Sequence, residues 1–220
     1  MILKKLFSKL NFIYTARKDN KQVSAGSGQD LDVYWDSKMA NLLEQWGEGN
    51  VWNEIQFLLT LKKGRVLDIA CGTGSAMLKF KGNKNLAVYG CDISDLLLKR
   101  AISKGLNKKY LTIQDATDMQ YKNKFFDYAY SIGSLEHFTE EGIINFLKES
   151  RRVTKTASFH NIPVSRDERD HGWIIRTQSY FNNSTLWWLK KFRRVYRQVL
   201  IIDSSWSDQR SVGKWFICIN

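Results

Sequence analysis

The 220 residues predict an α/β fold, a mostly parallel sheet with helices on both faces, and three observations carry that expectation. First, Val66-Leu67-Asp68-Ile69-Ala70-Cys71-Gly72-Thr73-Gly74 reads as a short apolar strand, an acid near its end, a glycine-bearing turn and the start of a helix from Ser75 to Phe80. Second, strand-like apolar runs then alternate with helical patterns, the order that lays strands in parallel with helical crossovers. Third, the last two apolar runs, Val195 to Asp203 and Lys214 to Ile219, are joined by a link too short for such a crossover, so the last strand should run antiparallel.

From the N-terminus, Leu3, Leu6, Phe7, Leu10 and Ile13 share one helical face, while Lys4, Lys5 and Lys9 point elsewhere. A helix packed on the domain or on a partner subunit is expected, with a peripheral membrane contact as the alternative. No apolar run there reaches the length of a signal-peptide core or a spanning helix. Ser24 to Gly28 is a flexible link. Residues 1–30 are therefore read as an amphipathic helix and link, and 31–220 as one domain. Asp36 caps a helix carrying Met39, Leu42, Leu43 and Trp46, ended by Gly47; Asn50 caps a second with Trp52, Ile55, Leu58 and Leu59 inward. Strands follow at Leu86 to Cys91, ending in Asp92, at Tyr110 to Gln114, ending in Asp115, and at Phe125 to Ser131. Thr139-Glu140-Glu141 opens a helix whose acids suit its positive end. Ala157 to Ile162 is the fifth strand and leads into a polar segment, Pro163 to Trp173. Asn182-Asn183-Ser184 caps a helix over Leu186 to Leu189, and Lys190, Lys191, Arg193, Arg194 and Arg197 complement its negative end.

The first strand–turn–helix corner is the kind that binds the polar part of a nucleotide-like cofactor, because glycine lets backbone approach a ligand without a Cβ in the way. Asp92 falls eighteen residues after Gly74, the spacing at which a second-strand carboxylate accepts hydrogen bonds from ribose hydroxyls. A nicotinamide dinucleotide would need a third glycine where Met77 stands, which argues against it.

At these residues the chain resembles the class I S-adenosylmethionine-dependent methyltransferases. The match runs from about Lys63 to Phe138, through the glycine loop, Asp92, Asp115-Ala116, Phe126-Asp127 and Ser134-Leu135-Glu136-His137-Phe138. Ala70 departs from it, standing where many members have the loop's first glycine. The resemblance implies a Rossmann-like seven-stranded sheet with an antiparallel last strand, and S-adenosyl-L-methionine as cofactor. It also implies roles: Asp68 near the loop backbone and the methionine amino group, Asp92 for the ribose, and Asp115 with the backbone of Ala116 at the adenine. Ala70, Gly72, Gly74, Ile93 and Ser131 would complete the cofactor site. Capping of neighbouring turns is the alternative for the three acids. The helices before the first strand would close over the cofactor, making Tyr34 and Trp35 candidates for the substrate pocket, with ordinary core anchoring as the alternative.

Lys and Arg outnumber Asp and Glu by 34 to 22, a net charge of +12. That charge suits a phosphorylated small molecule, nucleic acid or an anionic membrane, or serves solubility. Cys71, Cys91 and Cys218 lack metal-ligand spacing, which fits a reduced cytoplasmic protein and a metal-independent reaction. All three histidines, His137, His160 and His171, fall where the ligand-binding edge of the sheet should lie. His137 and His160 are the candidates for a base toward a hydroxyl acceptor, and His171 for the substrate. Arg166, Arg169 and Arg176 suit a phosphate, or pair on the surface with Asp167, Glu168 and Asp170. The segment from Phe159 to Trp188 resembles methyltransferases of bacterial capsule and lipopolysaccharide gene clusters, which implies O-methylation of a sugar or nucleotide-linked sugar. On that reading the partner is a small molecule, nucleic acid is not expected, and a homodimer is compatible. The alternatives are an RNA or protein methyltransferase using the basic surface, and a non-catalytic cofactor-binding subunit of a hetero-complex.

Overall fold

A computed structural model of the chain describes residues 32–45, 50–176 and 178–220. The amphipathic segment and link expected within residues 1–30 lie outside the described residues, as do Trp46 and Gly47. The strands are β1 (Gly64–Ile69), β2 (Leu86–Asp92), β3 (Leu111–Ile113), β4 (Phe126–Ile132), β5 (Thr154–Ser165), β6 (Trp173–Ile174), β7 (Tyr180–Phe181), β8 (Gln198–Ser207) and β9 (Ser211–Ile219). The helices are α1 (Ser37–Gln45), α2 (Asn50–Leu58), α3 (Ser75–Leu78), α4 (Asp95–Ser103), α5 (Glu140–Val153) and α6 (Thr185–Arg193).

Seven strands form one sheet in the order β3-β2-β1-β4-β5-β9-β8. The first five pair in parallel, and β9 runs antiparallel between β5 and β8. The short C-terminal link is a turn in which Asp208 Oδ1 accepts from the backbone N–H groups of Arg210 (2.8 Å) and Ser211 (2.7 Å). β5 is longer than its apolar run, reaching Ser165 instead of Ile162. Its pairing with β4 ends at Asn161, so beyond that point β9 is its one neighbour and Pro163, opposite Gly213, is tolerated.

The pleat sends alternate residues of β1 to opposite faces. Leu67 and Ile69 join Ile143, Phe146 and Leu147 of α5 and Trp188 and Phe192 of α6. Val66 joins Val51, Ile55 and Leu59 from α2 and the end that follows it. The helices begin where the sequence places caps: Thr139 accepts from Gly142 N at 3.1 Å, and Ser184 from Trp187 N at 3.1 Å. Asp36 Oδ1 accepts from Lys38 N at 2.7 Å at the start of α1.

At the opposite end of the sheet from the loops, β1 and β4 are stapled together by Asp127. Its Oδ2 accepts from Arg65 N at 2.7 Å, and its Oδ1 meets Lys155 Nζ at 3.0 Å. Gly64 sits beside it with φ of 120°.

Candidate active site

The carboxyl ends of β1, β2 and β4 open onto a cavity of about 370 Å³, whose far wall is built by the β6–β7 hairpin and the β8–β9 turn. Asp68, one residue from the end of β1, is buried at its floor. Burial pushes its pKa well up, with the Tyr130 hydroxyl opposing the shift and the charge of Asp92 adding to it. Its Oδ2 has no hydrogen-bond partner of normal geometry, and a buried acceptor in that condition is one that a ligand's donor can satisfy.

The loop after β1 turns left-handed at Ala70 (φ 57°), Gly72 (φ 53°) and Gly74 (φ 70°). An alanine in that conformation costs about 1–2 kcal/mol, which explains why glycine suits the position Ala70 occupies. Gly72 and Gly74 do different work. A Cβ on Gly72 would meet nothing within 4 Å, so this glycine keeps the loop open to the cavity. A Cβ on Gly74 would lie 2.2 Å from Leu106 Cδ1, just past α4, and 3.2 Å from Ala101 Cβ within it, so that glycine serves packing against α4 and its C-terminal end. The helix behind the loop is a single turn, Ser75–Leu78, shorter than expected.

Asp92 ends β2. Its Oδ2 accepts from Gly72 N at 2.8 Å and its Oδ1 from Ser94 N at 2.9 Å. Burial raises its pKa to about 6, and the backbone N–H groups of Ser94, Gly72 and Ile93 pull it back down. The carboxylate thus fixes the glycine loop and the entry to α4, and each oxygen keeps a lone pair for a ligand hydroxyl. Asp115 caps its own turn, accepting from Thr117 N at 2.8 Å and Thr117 Oγ1 at 2.7 Å. With Ile93 and Ala116 it lines the side of the cavity next to β2 and β3. Asp68, Ala70, Gly72, Asp92, Ile93, Asp115 and Ala116 therefore surround one space, and Gly74 lies just behind it.

Ser131 and His160 are corrections. They are register partners on β4 and β5, fully buried, and face the α5–α6 core, away from the cavity. Ser131 Oγ lies 2.8 Å from His160 Nδ1, Ser150 Oγ 3.4 Å from Nε2, and the ring packs between Phe146 and Phe192. Burial lowers the His160 pKa to about 3. A neutral, enclosed imidazole cannot reach an acceptor. His160→Ala is expected to cost roughly 2–4 kcal/mol in urea unfolding, for the lost packing and the stranded hydroxyls, and to leave cofactor affinity unchanged. Reduced affinity at unchanged stability would contradict this placement.

His137 does line the cavity. Its Nδ1 donates to the carbonyl of Ser179 at 2.7 Å, so Nε2 carries the lone pair, 3.7 Å from Glu136 Oε1. Burial lowers its pKa to about 4, against the pull of that carbonyl, so it is neutral at pH 7 and a weak base.

On the substrate side, Tyr34 reaches the cavity and its hydroxyl accepts from Gln178 Nε2 at 3.2 Å. Trp35 does not; it is 44% exposed beside Asp95. Arg166, Arg169 and His171 are also corrections. They sit outside the cavity in the exposed loop after β5, where Arg166 donates to the Asp208 carbonyl at 2.6 Å and His171 Nε2 lies 2.9 Å from Asp167 Oδ1. Arg176 is the arginine that does reach the cavity. Sequence reasoning reached Glu136 only as a substitute base should the histidines fail, and passed over Gln178, Tyr180 and Trp206 as wall residues. Glu136 sat within the motif stretch after β4, and Gln178 and Tyr180 within the Phe159–Trp188 stretch; Trp206 lay in neither.

The pocket fits a sulfonium cofactor on its own chemistry: Asp68 and Asp92 are buried carboxyl groups on its wall without a cationic partner among the described residues, so a bound cation would favour their ionised forms, and Asp68 Oδ2 has no partner of its own. Comparison with known proteins agrees in class. Residues 66–157 match the family profile of a methyltransferase domain. The fold aligns with a chain of the complex between the Trm112 methyltransferase activator and a putative methyltransferase of Haloferax volcanii, at a TM-score of 0.67 and 13% identity, covering 87% of this chain and 97% of that one. The chain is 36% identical over 117 residues to a tRNA (carboxymethyluridine(34)-5-O)-methyltransferase of Arabidopsis thaliana, covering 52% of this chain and 27% of that protein. It is 25% identical to a tRNA U34 carboxymethyltransferase of Shewanella frigidimarina, covering 92% of this chain and 73% of that protein. It spans under a third, 27% and 29%, of the length of the Arabidopsis protein and its counterpart in Saccharomyces cerevisiae. The seven-stranded sheet has the Rossmann-like methyltransferase fold, and residues 66–157 are similar to a methyltransferase domain. Two expectations are overturned by these relatives, which are named as tRNA-modifying enzymes: a sugar acceptor in capsule biosynthesis, and the exclusion of nucleic acid as partner. Among the described residues no helix is long and apolar enough to cross a membrane.

Proposed function

We propose that this methyltransferase domain uses S-adenosylmethionine to methylate an oxygen on a modified uridine of tRNA. One observation carries the reading: beside Asp68 and Asp92, the cavity is lined by the aromatic side chains Tyr34, Trp52, Tyr180 and Trp206, together with Arg176 and Gln178. Aromatic faces stack a base taken out of its helix, an amide reads a base edge, and a guanidinium meets the flanking phosphate. The net charge of +12 supplies the sequence-independent attraction that RNA binding needs. The names of the tRNA-modifying relatives support the same substrate class.

The residues that would hold the cofactor are Asp92 at the ribose, Asp115 and Ala116 at the adenine, and Asp68 with the Gly72 loop at the methionine end. When bound, the cofactor supplies a methyl group already activated by its positive sulfur. The chain's own part is orientation: the loop and the two carboxylates fix one reactant and the aromatic wall the other, and holding two reactants in line accounts for much of such a rate. Neither His137, kept neutral by burial, nor His160, enclosed in the core, is offered as a strong base.

The test is transfer of labelled methyl from S-adenosylmethionine to bulk tRNA, followed by nucleoside mass spectrometry. Label is expected in a wobble uridine derivative, and tRNA affinity is expected to fall linearly with salt on a logarithmic scale. Methylation of small hydroxylated molecules, with tRNA untouched and unbound, would overturn the reading.

A further inference from the structure

We propose that the Glu136 carboxyl is the acceptor's anchor: from Oε2 it donates a hydrogen bond to a carboxylate carried by the accepting nucleotide, leaving that carboxylate's other oxygen to attack. This deepens the tRNA reading and rests on it.

Glu136 lies in the 3₁₀ turn after β4, on the cavity wall, and is 2% exposed. Its Oε2 has no hydrogen-bond partner, and its Oε1 is 3.7 Å from His137 Nε2, beyond hydrogen-bonding range. A buried carboxyl with an idle oxygen facing a cavity is costly unless something that enters the cavity completes it. The groups around it do not force it to ionise. His137 on its own turn is neutral, Tyr180 faces it from β7, and Arg176 lies in the hairpin loop. Asp68 and Asp208, acids elsewhere on the wall, bring no positive charge to it. Burial pushes the Glu136 pKa up to about 8, so at pH 7 the group carries its proton. It is then a donor, and the complementary ligand atom is an acceptor, best an anionic oxygen.

A carboxylate acceptor also fits the rest of the site. It arrives as an anion. As its free oxygen forms a bond to the methyl carbon, the carbon–sulfur bond breaks and its electron pair stays on sulfur. The negative and positive charges vanish together and no proton is released. Such a reaction needs no base, and none of the histidines is placed and poised to be one. It also needs no Lewis acid to make the acceptor nucleophilic.

The sign of the pH dependence follows. Below about pH 8 a protonated Glu136 holds the carboxylate; above it two carboxylates face each other and binding weakens. The test uses the full chain and two variants, Glu136→Ala and Glu136→Gln. One arm follows methylation of tRNA carrying 5-carboxymethyluridine; the other follows calorimetric binding of the free nucleoside 5-carboxymethyluridine to protein loaded with S-adenosylhomocysteine. The wild-type KM and nucleoside Kd should rise between pH 7 and 9, with kcat little changed. Glu136→Ala should raise both about tenfold at pH 7, the scale of one hydrogen bond to a charged group. Glu136→Gln, whose amide also donates, should rescue most of that loss and flatten the alkaline rise. A rise in KM and Kd for Glu136→Gln as large as for Glu136→Ala would mean that Glu136 does not act as a donor, and would overturn the proposal. So would an unchanged Kd in Glu136→Ala. The two readings fail separately: wild type that ignores tRNA but binds the nucleoside with this pH profile overturns the tRNA reading alone, and wild type that methylates tRNA with Glu136→Ala unaffected overturns the Glu136 assignment alone.

Discussion

Asp92→Ala is expected to weaken S-adenosylhomocysteine binding by 10²-fold or more. The carboxylate is needed twice: toward the ligand, where each charge-assisted hydrogen bond is worth about 1.5–3 kcal/mol, and toward the protein, where it holds Gly72 N and Ser94 N. Two such bonds to a ribose amount to about 10²–10⁴ in affinity, and a released glycine loop adds to the loss. The pH dependence checks the same assignment. With a folded pKa of about 6, Asp92 is protonated in the free protein below that value, and it must give up that proton before both oxygens can accept charge-assisted hydrogen bonds from the ribose hydroxyls. Affinity should be flat above about pH 7 and decline below pH 6. Calorimetry showing alanine and wild type within threefold of each other would remove Asp92 from the cofactor site.

The largest effect on stability is expected from Gly64→Ala. At φ of 120° a Cβ is strained wherever it points, and here it would sit 2.2 Å from Asp127 Oδ2. That oxygen is the one that accepts from Arg65 N, so it cannot move without breaking the staple between β1 and β4. Strain of about 1–3 kcal/mol and a lost charged hydrogen bond of similar size should lower the unfolding free energy by about 3 kcal/mol or more, read from the urea midpoint. The cavity lies at the other end of these strands, so cofactor affinity of the folded fraction should be unchanged. A loss under about 1 kcal/mol would show that Asp127 has room to give way.

The sheet was legible because its strands announce themselves. Each apolar run ends in a residue that cannot sit in a core uncompensated, Asp68 and Asp92 above all, and the brief C-terminal link left an antiparallel turn as the way back into the sheet. Boundaries were less visible. β5 continues through Pro163 because a partner strand pairs with it there, which no local pattern could reveal. The cofactor half of the cavity was legible for the same reason as the sheet, since its residues sit at fixed offsets from strand ends. His160 was misplaced by a question of parity. Its neighbours along β5 show which end of the sheet it occupies, but which face it takes depends on the pleat, and a shift of one residue exchanges cavity for core. The aromatic part of the wall was hardest to read, because Tyr34, Trp52, Tyr180 and Trp206 come from four separate elements and line one cavity only once the sheet is built. Glu136 illustrates a further limit: its meaning lies in the lack of a partner, and a sequence names residues without showing which atoms go unmatched.

The place of β9 has a consequence for how the chain is made. β8 leaves the ribosome before β9, yet β9 is its sole neighbour in the sheet. Until β9 pairs with them, β5 and β8 both present open ladders, and β8 carries Leu200 and Ile202 on an accessible face. Such edges are templates for pairing with other chains. The stretch that closes them also brings Phe216 onto Phe192, completing the core in which His160 is enclosed. During synthesis the nascent protein is thus open to pairing with other chains along these two edges until β9 has joined them.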